Sequence, residues 1–126
     1  MTGPKLRQLR RKWPSLVFGN VYRRGDVYEL KAPKRSVGHE QHGRRYGVIL
    51  QSDNLPLSTV IVAPTSTGRN PASFRPEVEI NGATTRVLVE QLMSIDAELR
   101  LGRWVGHLGY DEMEAISQAT RILLDL

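Results

Sequence analysis

Residues 77–89 read Glu-Val-Glu-Ile-Asn-Gly-Ala-Thr-Thr-Arg-Val-Leu-Val, and this stretch decides the fold class. Polar and apolar residues alternate from 77 to 80, which is the period of a strand with one buried face. Asn81 and Gly82 form the dipeptide most typical of a two-residue hairpin turn, because both tolerate a positive φ angle. Residues 84–89 are rich in β-branched side chains and can pair back. The stretch therefore predicts a β-hairpin.

Three further stretches have strand character. Residues 26–31 and 46–51 are two of them, and a turn-forming segment at 52–56 follows the second. Residues 58–63 read Ser-Thr-Val-Ile-Val-Ala, a β-branched run without strict alternation. Such a run indicates a central strand that is buried on both faces. With the hairpin, the sequence predicts about five short strands.

The end of the chain changes to a helical period. Met113, Ile116 and Leu123 recur at a spacing that predicts an amphipathic helix over residues 110–124. A shorter helix is predicted over residues 94–99, with Ser94 as its N-cap. Short strands closed by helices indicate an α+β protein with a small curled sheet or barrel.

Composition bounds the domain organisation and the compartment. The 126 residues suit one domain, which we expect over residues 23–126 after a basic extension, residues 1–22. Cysteine is absent, which excludes disulfides and thiolate metal sites. Neither a membrane-spanning run nor a signal-peptide pattern is visible, so we expect a cytoplasmic protein that does not enter a membrane.

The net charge of +5 is unevenly distributed. Residues 1–24 carry seven basic residues and no acidic one, whereas residues 76–126 carry four basic and nine acidic residues. A basic arm can bind nucleic acid by neutralising phosphates, although many such arms are only solvated tails. The arm alone therefore leaves both interpretations open.

The segment 38–46 is the strongest candidate for a functional loop. It contains a carboxylate, an amide, two imidazoles and two guanidiniums between two predicted strands. Such a composition is poor core material and suits contact with a polar ligand. A second polar loop, rich in hydroxyl groups, covers residues 65–76. The two loops predict the candidate site.

Five motifs in this order resemble those of the MazF/PemK-type toxins of type II toxin–antitoxin systems. They are residues 24–28 (Arg-Gly-Asp-Val-Tyr), 38–45 (Gly-His-Glu-Gln-His-Gly-Arg-Arg), 59–64 (Thr-Val-Ile-Val-Ala-Pro), 89–96 (Val-Glu-Gln-Leu-Met-Ser-Ile-Asp) and 108–113 (Leu-Gly-Tyr-Asp-Glu-Met). The resemblance implies an SH3-like β-barrel with a C-terminal helix, a homodimer and neutralisation by a MazE-like antitoxin. It also implies a ribosome-independent endoribonuclease that cuts single-stranded mRNA without a metal or another cofactor.

The resemblance assigns the catalytic arginine to Arg45 and the catalytic hydroxyl to Ser66. Scission without a metal can use the ribose 2′-hydroxyl as nucleophile, which restricts the substrate to RNA. A guanidinium fork and a serine hydroxyl both suit the charge that develops on the phosphate oxygens. Because arginine stays protonated at neutral pH, Glu40, His39 or His42 is a more natural proton acceptor. The proton roles stay open, and Glu40 is included among the catalytic candidates.

Other polar residues of the two loops and the neighbouring strands are candidates for substrate binding. Tyr46 stands where the family usually has a proline, and its ring can stack on a base. Gln91 can read a base edge or satisfy backbone at a strand end. The full set of candidates for substrate binding is His39, Gln41, Arg44, Tyr46, Thr65, Thr67 and Gln91.

Less specific interpretations compete with these assignments. Arg45 can form a structural ion pair with Glu40 or Asp26, and Ser66 can cap a turn. A gyrase-inhibiting toxin similar to the CcdB type would keep the fold without RNA scission. A non-catalytic RNA-binding module would depend on the basic arm.

Overall fold

The structure of the protein is a computed structural model that describes residues 22–32, 45–55 and 57–126. These residues form seven strands, two α-helices and one turn of 3₁₀ helix. In chain order they are β1 (Asp26–Leu30), β2 (Arg45–Ile49), β3 (Thr59–Ser66), β4 (Glu77–Ile80), β5 (Ala83–Val87), the 3₁₀ turn (Val89–Gln91), β6 (Met93–Asp96), α1 (Ala97–Arg100), β7 (Leu101–His107) and α2 (Tyr110–Leu124).

The strands form one antiparallel sheet in the order β4-β5-β3-β2-β1-β7, with β6 paired to β3 beside this path. The first half of β3 pairs with β6, and its last two residues, Thr65 and Ser66, pair with β5. Pro64 lies where the partner strand of β3 changes from β6 to β5. Its missing N–H therefore removes no hydrogen bond from the sheet, and its carbonyl accepts a hydrogen bond from Leu88 N at 2.8 Å. This change of partner along β3 curls the sheet.

The central strands are buried on both faces and separate two apolar clusters. Val27 and Val48 face the cluster under α2, whereas their neighbours Tyr28 and Ile49 face the second cluster on the opposite side. Strand β3 contributes to both clusters, as its lack of strict alternation predicts. The expected α+β fold, with a curled sheet, a central strand near residues 58–63 and a C-terminal helix, is confirmed.

Helix α2 is attached to the sheet by polar side chains as well as by its apolar face. The Glu112 carboxylate accepts hydrogen bonds from Gly109 N at 3.1 Å and from Glu79 N, on the edge strand β4, at 2.8 Å. Arg24 donates to Ser117 Oγ at 2.8 Å and to the Leu50 carbonyl. No helix within the described ranges is long and apolar enough to cross a membrane.

The predicted helix over residues 94–99 is wrong in its first half. Met93–Asp96 is a strand, because it pairs with β3 and buries Ile95 in the second cluster. The helix that follows, α1, is capped by Asp96, whose Oδ1 accepts from Leu99 N at 3.2 Å, and not by Ser94. Strand β7 was also outside the sequence prediction, since its two glycines interrupt any apolar period.

Candidate active site

The candidate site lies where β2 begins and β3 ends. These two strands pair antiparallel, with Gly47 opposite Pro64. Arg45 is the first residue of β2 and Ser66 is the last residue of β3, so both lie at the same end of this strand pair. The sheet therefore brings together two residues that belong to different polar loops of the sequence.

Both residues line a cavity of about 320 Å³ at this end of the sheet. The β4–β5 hairpin forms its other wall. The described residues that line the cavity are Arg45, Tyr46, Thr65, Ser66, Thr67, Gly68, Ile80, Ala83 and Thr85. Five of them were candidates from the sequence, namely Arg45, Tyr46, Thr65, Ser66 and Thr67.

Arg45 is the only charged residue among the described residues that line the cavity. The alternative ion pair with Asp26 is wrong, because the Asp26 carboxylate lies near the other end of β1 and accepts from Arg23, Trp104 and His107. In the sheet, Arg45 lies opposite Leu30, the last residue of β1. The alternative pair with Glu40 lies outside the described residues. A single guanidinium among hydroxyls makes the cavity suited to an anion.

Hydroxyl groups surround this guanidinium. Ser66 Oγ accepts a hydrogen bond from Gly68 N at 3.3 Å, so Ser66 does shape the turn, as the less specific interpretation expected. This bond uses the oxygen as acceptor and leaves the hydroxyl proton for donation. Thr65 and Thr85 are buried at the floor, and Thr67 follows Ser66 on the rim. The cavity therefore offers several donors to one anionic centre.

Tyr46 forms part of the wall and is held from two sides. Its ring is partly buried against the apolar cluster under α2. Its hydroxyl accepts a hydrogen bond from Asn81 Nδ2 at 3.2 Å. The site therefore combines a guanidinium, hydroxyl groups and a fixed aromatic ring, a set suited to a nucleotide.

Residues 23–124 match the family described as the PemK-like, MazF-like toxins of type II toxin–antitoxin systems. The chain belongs to this toxin family. It is also 42% identical, over 103 residues, to a putative toxin of Mycobacterium tuberculosis, and the match covers 82% of this chain and 97% of that one. The resemblance that the five motifs indicated is confirmed.

Solved structures agree on the fold of this toxin. An endoribonuclease from a mycobacterial species, in complex with its cognate antitoxin, has a TM-score of 0.66 at 20% identity and covers 82% of this chain and 95% of that one. MazF from Deinococcus radiodurans has a TM-score of 0.67 at 20% identity and covers 82% of this chain and 96% of that one. The expected SH3-like architecture of MazF-type toxins is therefore confirmed.

The other predicted residues divide into two groups. Gln91 lies in the 3₁₀ turn and does not line the cavity of this toxin. Glu40, His39, Gln41 and Arg44 lie outside the described residues, so their assignments stay predictions.

The hairpin contributes cavity residues that sequence reasoning missed. Ala83 and Thr85 of β5 share the face of Val87, with Ile80 opposite Ala83 on β4. The alternation of β5 was the available signal, since every second side chain of a strand faces the same way. That signal defines a shared face, but it does not say that the face meets β2 and β3.

Proposed function

We propose that this toxin is an endoribonuclease that cuts single-stranded RNA, mRNA above all, without ribosomes and without a metal. The observation that supports it is the cavity in which Arg45 and Ser66 lie on adjacent strands. Sequence-specific cleavage of mRNA would inhibit translation and growth.

The proposed reaction uses the ribose 2′-hydroxyl as nucleophile. Its oxygen attacks the adjacent phosphorus, and the bond from phosphorus to the 5′ oxygen of the next nucleotide breaks. The 2′-hydroxyl loses its proton as its oxygen bonds to phosphorus, and the departing 5′ oxygen gains a proton, so the products are a 2′,3′-cyclic phosphate and a free 5′-hydroxyl. Arg45 stabilises the charge on the phosphate oxygens with a fork of donors, and the Ser66 hydroxyl adds another donor at the same centre. Glu40 either accepts the proton of the nucleophile or orients Arg45.

Substrate binding extends outward from this centre. Thr65 and Thr67 flank Ser66 and supply hydroxyl donors within the same cavity. Tyr46 faces the substrate beside Arg45. The loop residues His39, Gln41 and Arg44 also contact the RNA, and Gln91 contacts it beyond the cavity.

The proposal includes two protein partners. One is a cognate MazE-like antitoxin that blocks the RNA-binding face; a mycobacterial endoribonuclease similar in fold was solved with its own cognate antitoxin. The other is a second copy of this toxin. Exposed apolar side chains near the chain end support homodimer formation, namely Ile122, Leu123, Leu124 and Leu126. We place the complex in the cytoplasm, with residues 23–126 as the catalytic domain and residues 1–22 as an accessory extension.

The test uses the purified toxin and a long single-stranded RNA in EDTA. We expect cleavage at a few sites, with 2′,3′-cyclic phosphate and 5′-hydroxyl ends. One 2′-deoxy substitution at the nucleotide on the 5′ side of the cut should abolish scission there. Arg45→Ala, purified in parallel, should lose the activity, which excludes a contaminating nuclease.

Three outcomes would contradict the proposal: intact RNA, scission that chelation abolishes, or scission that survives the 2′-deoxy substitution. The gyrase-inhibitor alternative predicts intact RNA together with stalled topoisomerase complexes. The RNA-binding alternative predicts that deletion of residues 1–22 abolishes binding, whereas the proposed nuclease still cuts without them.

A further inference from the structure

The cavity has two chemically different sides. Arg45, Ser66, Thr67 and Gly68 form a side suited to a phosphate. Tyr46, Ile80, Ala83 and Thr85 form the other side, which is aromatic and apolar with one buried hydroxyl. Arg45 and Tyr46 line the same cavity, so the two sides border one space. Apart from the hydroxyls of Tyr46 and Thr85, the side chains on this second side offer no donor to a phosphate.

The Tyr46 ring is held in one orientation from both of its ends. At one end its backbone belongs to β2, where it pairs with Glu29 of β1. At the other end its hydroxyl accepts the bond from Asn81 Nδ2, and the ring packs on the apolar cluster between them. An aromatic ring held in this way loses little conformational entropy when a flat ligand stacks on it.

The position of Asn81 is set by the hairpin turn. Asn81 and Gly82 have φ angles of 52° and 77°, the left-handed pair that a tight turn between two strands requires. The turn therefore directs the Asn81 amide toward β2, across the cavity wall. A residue that the sequence marks only as turn-forming thus positions a side chain of the site.

We infer that this side of the cavity is a nucleobase subsite, in which one unpaired base of the RNA stacks on Tyr46 while Asn81 positions the ring. The inference rests on the proposed function and deepens it. The base belongs to a nucleotide next to the scissile phosphate, because Tyr46 and Arg45 line the same cavity. Thr85 lines the same cavity, and its hydroxyl can bond a base edge. A paired base cannot enter, so the subsite selects single-stranded RNA.

The first test combines a ring variant with a modified substrate. The cut is mapped in a pool of single-stranded RNA, and one abasic nucleotide is then introduced at each of the three positions on either side. At one position the abasic substrate should lower kcat/KM by about 5- to 150-fold, which is the range for loss of one stacked base. Tyr46→Leu should lower kcat/KM for the intact substrate by a similar factor. The two losses should not add, because both remove the same stacking contact.

The second test concerns Asn81 as a positioning residue. Asn81→Gly keeps the left-handed turn and removes the amide, while Tyr46→Phe keeps the ring and removes the hydroxyl. Each should change the base preference at the abasic-sensitive position, and the double variant should equal either single one. Thr84→Ala, at an exposed neighbour in the hairpin, is the matched control and should leave the base preference unchanged. Thermal unfolding of all variants separates this effect from loss of the fold.

The outcomes separate failure of the subsite from failure of the nuclease. If the toxin cuts RNA but no abasic position matters, or if the Tyr46→Leu and abasic losses add fully, the subsite is overturned and the nuclease stands. If the toxin does not cut, a single-stranded oligonucleotide carrying 2-aminopurine tests the stack by fluorescence quenching. Quenching that Tyr46→Leu abolishes supports the subsite, and equal quenching in both proteins overturns it.

Discussion

Two polar clusters lie near opposite ends of strand β1, and they differ in where their hydrogen bonds go. At the start of β1, Asp26 is fully buried and accepts from Arg23, from Trp104 Nε1 at 3.3 Å and from His107 Nδ1 at 2.9 Å. Near the end of β1, Arg45 and Ser66 line an open cavity. The hydrogen bonds of the Asp26 cluster stay within the protein, whereas the Arg45 and Ser66 side chains line a cavity that a ligand can enter.

The difference shows that the Asp26 cluster contributes to stability, whereas the cavity at the other end of β1 carries the candidate catalytic residues. A buried carboxylate without donors would oppose folding, so the partners of Asp26 hold β1 to β7. Side chains that line a cavity are instead accessible to a ligand such as a phosphate. Substitutions in the Asp26 cluster should therefore lower stability, and substitutions in the cavity should lower cleavage.

The strongest test of this comparison is Arg45→Ala. We expect kcat for RNA cleavage to fall by about 10²- to 10³-fold, the range for loss of one donor to a developing oxyanion. Arg45→Lys should recover only part of the activity, because it keeps the charge and loses the fork. Arg103→Ala is the control, since Arg103 is 70% exposed on β7 and pairs with Glu29. If Arg45→Ala and Arg103→Ala cut equally well, the cavity is not the active site.

The matching substitution in the other cluster is Asp26→Asn. One acceptor oxygen becomes a donor that faces other donors, so we expect the free energy of unfolding to fall by about 2–3 kcal/mol. Urea denaturation measures this loss, and kcat of the folded fraction should stay near that of the wild type. Glu29→Gln, which weakens a surface ion pair on the same strand, should change the free energy of unfolding by less than about 1 kcal/mol. If kcat falls in Asp26→Asn while the protein stays folded, the Asp26 cluster affects cleavage as well as stability, which contradicts this assignment.

Ser66→Ala tests which hydroxyl of the cavity is catalytic. The variant removes one neutral donor, whereas Arg45→Ala removes a charged fork, so we expect cleavage to fall by about 10²-fold, at the lower end of the range for one donor. Because Ser66 Oγ also accepts from Gly68 N, the free energy of unfolding should fall by about 0.5–1 kcal/mol. Thr67→Ala, at the next residue, should have the smaller effect on kcat. If Thr67→Ala lowers kcat more than Ser66→Ala does, the catalytic hydroxyl is that of Thr67.

The smallest effect on cleavage is expected from Glu112→Ala at the start of α2. The carboxylate accepts from Gly109 N and from Glu79 N, so its removal leaves two backbone donors to water. We expect the free energy of unfolding to fall by about 1–2 kcal/mol, with kcat unchanged. Thermal unfolding and the cleavage assay measure the two quantities separately. Loss of kcat at a temperature where the variant is fully folded would show that the position of β4 affects the cavity.

The elements that were predicted correctly are those specified by residues close in the chain. The Asn81-Gly82 turn and the amphipathic period of residues 110–124 depend on local geometry, and both elements formed where they were expected. Residues 93–96 were predicted in part as helix, because a capping serine followed by acids favours that local structure. Their pairing with Thr59–Val62 is a contact between distant residues, and burial of Ile95 favours it over the local preference.

In the candidate site too, residues marked by their neighbours in the chain were predicted, and residues brought in by distant contacts were not. Arg45 and Ser66 were assigned through the motif resemblance, and Thr65, Thr67 and Tyr46 followed from their neighbourhood in the chain. Thr85 and Asn81 were not assigned, because nothing near them in sequence marks the hairpin as a wall of the cavity. Gln91 lies in the 3₁₀ turn and is not among the residues that line the cavity, so its assignment to substrate binding stays a prediction.

The sequence by itself determined the strand and helix periods, the hairpin turn, the family and the residue types that suit an anionic substrate. These depend on the spacing of side chains and on backbone preferences within a few residues. Only the tertiary structure decided that the start of β2, the end of β3 and the β4–β5 hairpin enclose one cavity, and that the Asn81 amide reaches Tyr46. Such contacts depend on strand order and register, which arise from burial and pairing across the whole chain.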